Sequence, residues 1–81
     1  MTSTWTTRTA AEAVTCLLND EDLDEGVRAV VRMAYDATYR EANGLQSADA
    51  AAAFRMAAQV ATAGRLTTED LVNAVRYNMG L

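Results

Sequence analysis

The chain has no proline, no histidine and no lysine, a single cysteine, and only one Trp, one Phe and three Tyr. Each absence removes a class of answer. Without proline nothing interrupts a helical run from within. Without histidine the chain lacks the commonest general base and the commonest zinc ligand. A lone Cys16 cannot form an internal disulfide, and as a nucleophile it would have no imidazole to activate it. Set among Val14, Leu17 and Leu18, it reads as a reduced, half-buried thiol. No apolar run reaches the length of a membrane span and no leader pattern is visible, so the expected compartment is the reducing cytoplasm. No run alternates as a strand does, and the glycines are isolated, so no phosphate-cradling loop is present.

Charge is also one-sided. Seven arginines face eleven Asp and Glu, a net charge of −4. A generic nucleic-acid binder needs a basic footprint, so this balance argues against that partner. The arginine-for-lysine bias and the abundant alanine suggest a GC-rich coding sequence of the kind carried by actinobacteria and their phages.

What is present is helix. Eighty-one residues allow one small domain with a modest core, and much of the 51% hydrophobic content is alanine. Small side chains let helices approach closely but bury little apolar area, so self-association is one way to gain more. The organising stretch runs from Asp22 to Asn43. Leu23, Val27, Val30, Val31, Ala34 and Thr38 share one sector of its wheel. Asp22 with Glu25 forms a capping box, with Asp20 as the alternative cap, and Asn43-Gly44 is the stop. Gly26 in the first turn costs about 1 kcal/mol relative to Ala.

Upstream, residues 1–8 read as a loose, flexible arm whose Trp5 either covers the bundle or anchors a partner. Residues 9–18 form a short helix, capped by Thr9 with Glu12, whose inner face is Ala10, Ala13, Val14, Leu17 and Leu18. Downstream, Ser47 caps a third helix. Its bulk, Ala53, Phe54, Ala57, Val60 and Ala61, is expected inside, with Met56 at the margin; Arg55, Gln59 and Thr62 are expected outside. Gly64 ends it. The last helix has the clearest start: Thr67 at the cap, Asp70 at N3, and Leu66 and Leu71 at the hydrophobic-staple positions. Leu71, Val72, Val75 and Met79 should face inward, and Gly80 stops the helix. The expected fold is therefore all-α, a compact bundle of four helices at about 9–18, 22–43, 48–63 and 68–79, with residues 9–81 as one domain. Its second and third helices should form an antiparallel hairpin across Gly44.

Two surfaces are candidates for binding. Arg28, Arg32, Tyr35 and Tyr39 recur at i, i+4, i+7 and i+11, one stripe able to grip an acidic or phosphorylated surface. The same arginines can instead pair with Asp24 and Asp36, and the tyrosines can simply edge the core. The second surface is the acidic corner of Asp20, Glu21, Asp22, Asp24 and Glu25, suited to a basic partner or merely to helix capping. It is not a calcium loop: counting from Asp20, position 6 is Glu25 rather than Gly and position 12 is Val31. No catalytic residue, cofactor or metal is expected. The function expected is a non-enzymatic protein-binding module, of the sort a phage or mobile element uses to inhibit or redirect a larger machine by occupying a site on it. The alternative is a helix-turn-helix DNA-binding regulator built from the last two helices. Its presumed recognition helix, however, opens on Thr67, Thr68, Glu69 and Asp70, where acids would repel phosphate.

Overall fold

The computed structural model describes the backbone of residues 7–80 and the side chains of residues 10–80. Four helices follow one another: α1 (Thr7–Leu18), α2 (Glu25–Ala42), α3 (Ala48–Ala61) and α4 (Thr68–Asn78). They build the all-α bundle that the periodicity predicts. Thr7 and Arg8, read as part of the arm, already belong to α1, so Thr9 lies within that helix rather than at its cap. The rest of the arm, Trp5 included, lies outside the described residues.

The helices associate as two pairs. α4 lies along α1, and α3 lies along α2; α2 and α4 join the pairs. Among the described residues α1 and α3 are not neighbours. The shortest dimension is 20 Å, about two helix diameters, so every helix keeps an outer face.

The centre of the bundle is apolar. Val14 and Leu17 of α1, Val31 and Ala34 of α2, Ala58 of α3, and Leu66, Leu71 and Ala74 pack together, with Leu23, Val27, Val30 and Tyr35 half-buried around them. Leu66, Leu71, Val31 and Val75 are the largest side chains hidden from solvent. The inner face read for α2 is thus the observed one, with Ala37 added. Of the residues read as inward on α4, Val72 and Met79 are only half-buried, and Ala74 takes the inner position between them.

Helix ends show which local signals decide. At α4 the reciprocal cap forms: Thr67 Oγ1 accepts from the Asp70 amide at 3.1 Å and Asp70 Oδ2 accepts from the Thr67 amide at 2.9 Å. Ser47 caps α3 by accepting from the Ala50 amide. At α2 the cap is Asp24, neither Asp22 nor Asp20; its carboxylate accepts from the amides of Gly26 and Val27. A Cβ at Gly26 would stand 2.9 Å from Asp24 Oδ2, so a larger residue there would shift the capping carboxylate. Asp20 serves the preceding turn, accepting from the Asp22 amide. α2 ends in a Schellman motif, with Gly44 at φ +74° and Leu45 N–H donating to Arg40 O at 2.8 Å.

α3 corrects the sequence reading. The face taken as outer is the inner one. Ala51, Ala58 and Thr62 are buried and the Arg55 side chain is only 12% exposed. Phe54, Met56 and Val60, taken as inner or marginal, are 37%, 52% and 71% exposed, and Ala53 and Ala57 are exposed with them. Two causes act together. The α2 surface that receives α3 is Ala34, Ala37 and Thr38, and helices whose facing residues are alanines approach too closely to admit bulk. Each inward polar group also finds a partner. Arg55 Nη1 donates to Glu41 Oε1 at 2.9 Å and to Thr38 Oγ1 at 3.1 Å. Gln59 Oε1 accepts from the Thr68 amide at the start of α4. Thr62 Oγ1 donates to Ala58 O and accepts from the Leu66 amide. A buried polar group with its bonds made costs little. α3 also stops earlier than Gly64: Thr62 is its C-cap, and Ala63 adopts the left-handed conformation at φ +53°, ahead of Gly64 at +82°.

Candidate functional site

The arginine–tyrosine stripe divides. Arg28 is turned to the loop before α2, where its Nη2 donates to the carbonyl oxygens of Asp20 and Leu23 and its Nε is buried with no partner. Tyr35 is half-buried and accepts through its hydroxyl from Asn78 Nδ2, tying α2 to the end of α4. Both side chains therefore hold the fold. Only Arg32 and Tyr39 keep exposed side chains for another molecule. Neither of the pairings expected with Asp24 and Asp36 forms; the ion pair among the described residues is Arg55–Glu41.

The acidic corner divides in the same way. Asp20 and Asp24 spend their carboxylates on backbone amides of the turn and of the first turn of α2. Glu21, Asp22 and Glu25 are exposed. Among the described residues no group of three or more metal-ligating side chains is placed to hold an ion. Cys16 is exposed rather than half-buried, because the inner face of α1 centres on Ala10, Val14 and Leu17. It borders an open cleft of about 400 Å³ with Ala13, Leu17, Asp20 and Arg65.

The inversion of α3 leaves a surface that sequence reading missed. Ala53, Met56, Ala57 and Val60 form its outer face, and no charged side chain interrupts them between Asp49 and Arg65. The face is flanked on both sides by grooves. Toward α2, a groove of about 260 Å³ is lined by Met33, Ala37 and Phe54, with Asp36 and Arg40 at its rim. Toward α4, one of about 330 Å³ is lined by Ala52, Met56 and Val72 together with Arg55, Thr68 and Glu69. Met33 is 50% exposed, and Leu45, at the α2–α3 turn, 68%. Together these residues form an apolar band with charged residues at its edges. Arg55 pairs with Glu41 of α2 at 2.9 Å, a contact that goes with Arg55 turned inward and Val60 turned outward.

α4, the helix that a DNA-binding reading would place in a groove, buries Asp70, Leu71, Ala74 and Val75 and exposes Glu69, Arg76 and Tyr77. Among the described residues no helix is long and apolar enough to cross a membrane. Comparison with protein-family models, curated proteins and solved structures finds no match to this chain.

Proposed function

We propose that this chain is a non-catalytic protein-binding module that acts by occupying a site on a larger protein, with the outer face of α3 as its contact surface. The observation that carries the reading is the uncharged band of Ala53, Met56, Ala57 and Val60, with Phe54 beside it, on a helix whose Arg55 and Gln59 bond to groups on α2 and α4. A chain with little apolar bulk gains nothing in stability by turning Phe54, Met56 and Val60 to water. Their placement suits a partner that presents an apolar helix or groove. The charged rim of Asp36, Arg40 and Glu69 would set orientation more than affinity.

The test is capture of partners by the tagged protein after nuclease treatment, with three variants in parallel. A protein retained by the native chain should be lost with Val60→Asp. It should be retained by Arg32→Glu with Tyr39→Ala, and by reversal of Glu21 and Asp22. Asp24 is left intact because reversing it would remove the cap of α2. Loss with the second or third variant instead would move the site to the stripe or the corner. Capture of nucleic acid that nuclease abolishes would replace this reading with a DNA-binding one.

A further inference from the structure

We infer that α3 opens from the bundle as one unit while α1, α2 and α4 stay folded, and that the Arg55–Glu41 ion pair is the latch that holds it closed. This opening does not depend on what the outer face of α3 binds.

The apolar core closes almost without α3. Val14 and Leu17 of α1, Val31 of α2, and Leu66 and Leu71 supply its bulk, and α3 adds Ala58. The largest fully buried side chains, Leu66, Leu71, Val31 and Val75, all lie outside α3. Within its own 14 residues α3 buries Ala51 and Ala58, whereas the 11 residues of α4 bury a leucine and a valine besides Asp70 and Ala74. Hydrophobic stabilisation scales with the apolar area hidden, so α3 is the helix held least by it. Its flanks are open too, with grooves of about 260 Å³ toward α2 and about 330 Å³ toward α4.

What holds α3 closed is polar. Arg55 Nη1 reaches across the seam to Glu41 Oε1 and to Thr38 Oγ1, and the Arg55 side chain is left only 12% exposed. A guanidinium so far out of water is tolerated while its counter-charge is in place. Without Glu41 the closed state would keep an uncompensated charge, which opening returns to water. The latch sits at the centre of the helix. Ala51, Arg55 and Ala58 follow i, i+4 and i+7, one stripe along the seam, so release of Arg55 frees the inner face along its length rather than fraying it from one end.

The neighbours on either side are sealed without α3. α2 closes its own end, with Gly44 at φ +74° and Leu45 N–H donating to Arg40 O. α4 opens on its own capping box, Thr67 with Asp70, behind a fully buried Leu66. Opening of α3 takes one bond from α4, that between the Thr68 amide and Gln59 Oε1, and Thr68 is half-buried, so water can replace it. The unit that opens is therefore bounded by two turns that stay as they are.

Native-state amide hydrogen exchange of the full chain, followed residue by residue by NMR, tests this. A freed α3 exposes its amides, because 14 residues stand at the length where an isolated helix is only marginal in water. In the native chain the central amides of α3, those of Ala57 and Ala58, should share one opening constant, at least about tenfold larger than that of Ala74 and Val75 in α4, as a sub-global unit does. Glu41→Gln should raise exchange throughout α3 by a further factor of at least about ten, the scale of one lost bond to a charged group, and leave α1 and α4 unchanged. Equal opening constants in α3 and α4, or equal acceleration of all four helices in the variant, would overturn the separate unit. So would exchange that is fast at the ends of α3 and as slow at its centre as in α4. An α3 that opens alone but takes no notice of Glu41→Gln would overturn the latch. The native chain tests the unit by itself, so a variant that failed to fold would not rescue the idea.

Discussion

α3 and α4 are neighbours of similar length, and they obey opposite rules. In α4 the bulky residues, Leu71 and Val75, are inside, and its cap, staple and apolar face agree. In α3 the inside is Ala51, Ala58 and Thr62 with a paired Arg55, and the bulk is outside. The difference lies in what each helix packs against. α4 lies along α1, whose Val14 and Leu17 leave room for leucines to interdigitate. α3 lies along a seam of Ala34, Ala37 and Thr38, where proximity is gained by smallness. Amphipathicity specifies a face only when the partner surface asks for bulk. Where it asks for close approach, alanine becomes the core residue, and bulk remains for use elsewhere.

The largest expected effect tests this contrast directly. Leu71→Ala removes a side chain with no exposed surface from the α4 half and should cost about 3 kcal/mol, within the range for buried leucines. Val60→Ala in the α3 half should change stability by less than about 0.5 kcal/mol, as surface substitutions do. Urea unfolding of both variants gives the comparison. Similar losses for the two would mean that Val60 belongs to the core and that α3 is oriented as its bulk suggests.

A second substitution sharpens the account of the seam. Ala58 is buried where α3 meets α2. Ala58→Leu adds volume to a contact that works by being narrow, and overpacking of this kind costs about 1–3 kcal/mol. If bulk were welcome there, the added apolar area would stabilise instead. The sign of the change in urea midpoint therefore decides between a tight seam and a loose one.

The legible parts of this fold are those that depend on one helix at a time. Thr67 with Asp70, Ser47, and Gly44 each mark an end through chemistry contained in a few residues, and the inner sector of α2 follows from its period. The illegible parts depend on two. Asp22 and Asp20 are the caps read from the sequence, and the path of the turn into α2 selects Asp24 instead. Arg28 and Tyr35 look like free members of a stripe until the carbonyls of the preceding loop and Asn78 are placed beside them. The face of α3 was misread because polarity and bulk were judged within the helix, whereas Arg55, Gln59 and Thr62 are satisfied by groups on α2, on α4 and in the following turn. The candidate surface was hidden by the same error, since it is the complement of the true inner face.

The smallest effect concerns the turn that joins the contrasted helices. Ala63 is the non-glycine residue with positive φ among the described residues, at +53°. Its backbone is held there from both sides: its N–H donates to Val60 O at 3.0 Å and the Gly64 N–H donates to Gln59 O at 2.9 Å, the two bonds that close the end of α3. The left-handed conformation costs an L-residue roughly 1–2 kcal/mol, from the crowding of Cβ against the following carbonyl. Ala63→Gly removes that cost and adds back part of it as extra freedom of the unfolded chain, so the net gain should be about 0.5–1 kcal/mol. For a domain of this size that raises Tm by several degrees, at roughly 4–8 °C per kcal/mol. A fall in Tm would mean that Ala63 does not hold the left-handed geometry in solution. α3 would then run on toward Gly64, as the sequence alone suggests, and Thr62 would lose the turn through which it receives the Leu66 amide.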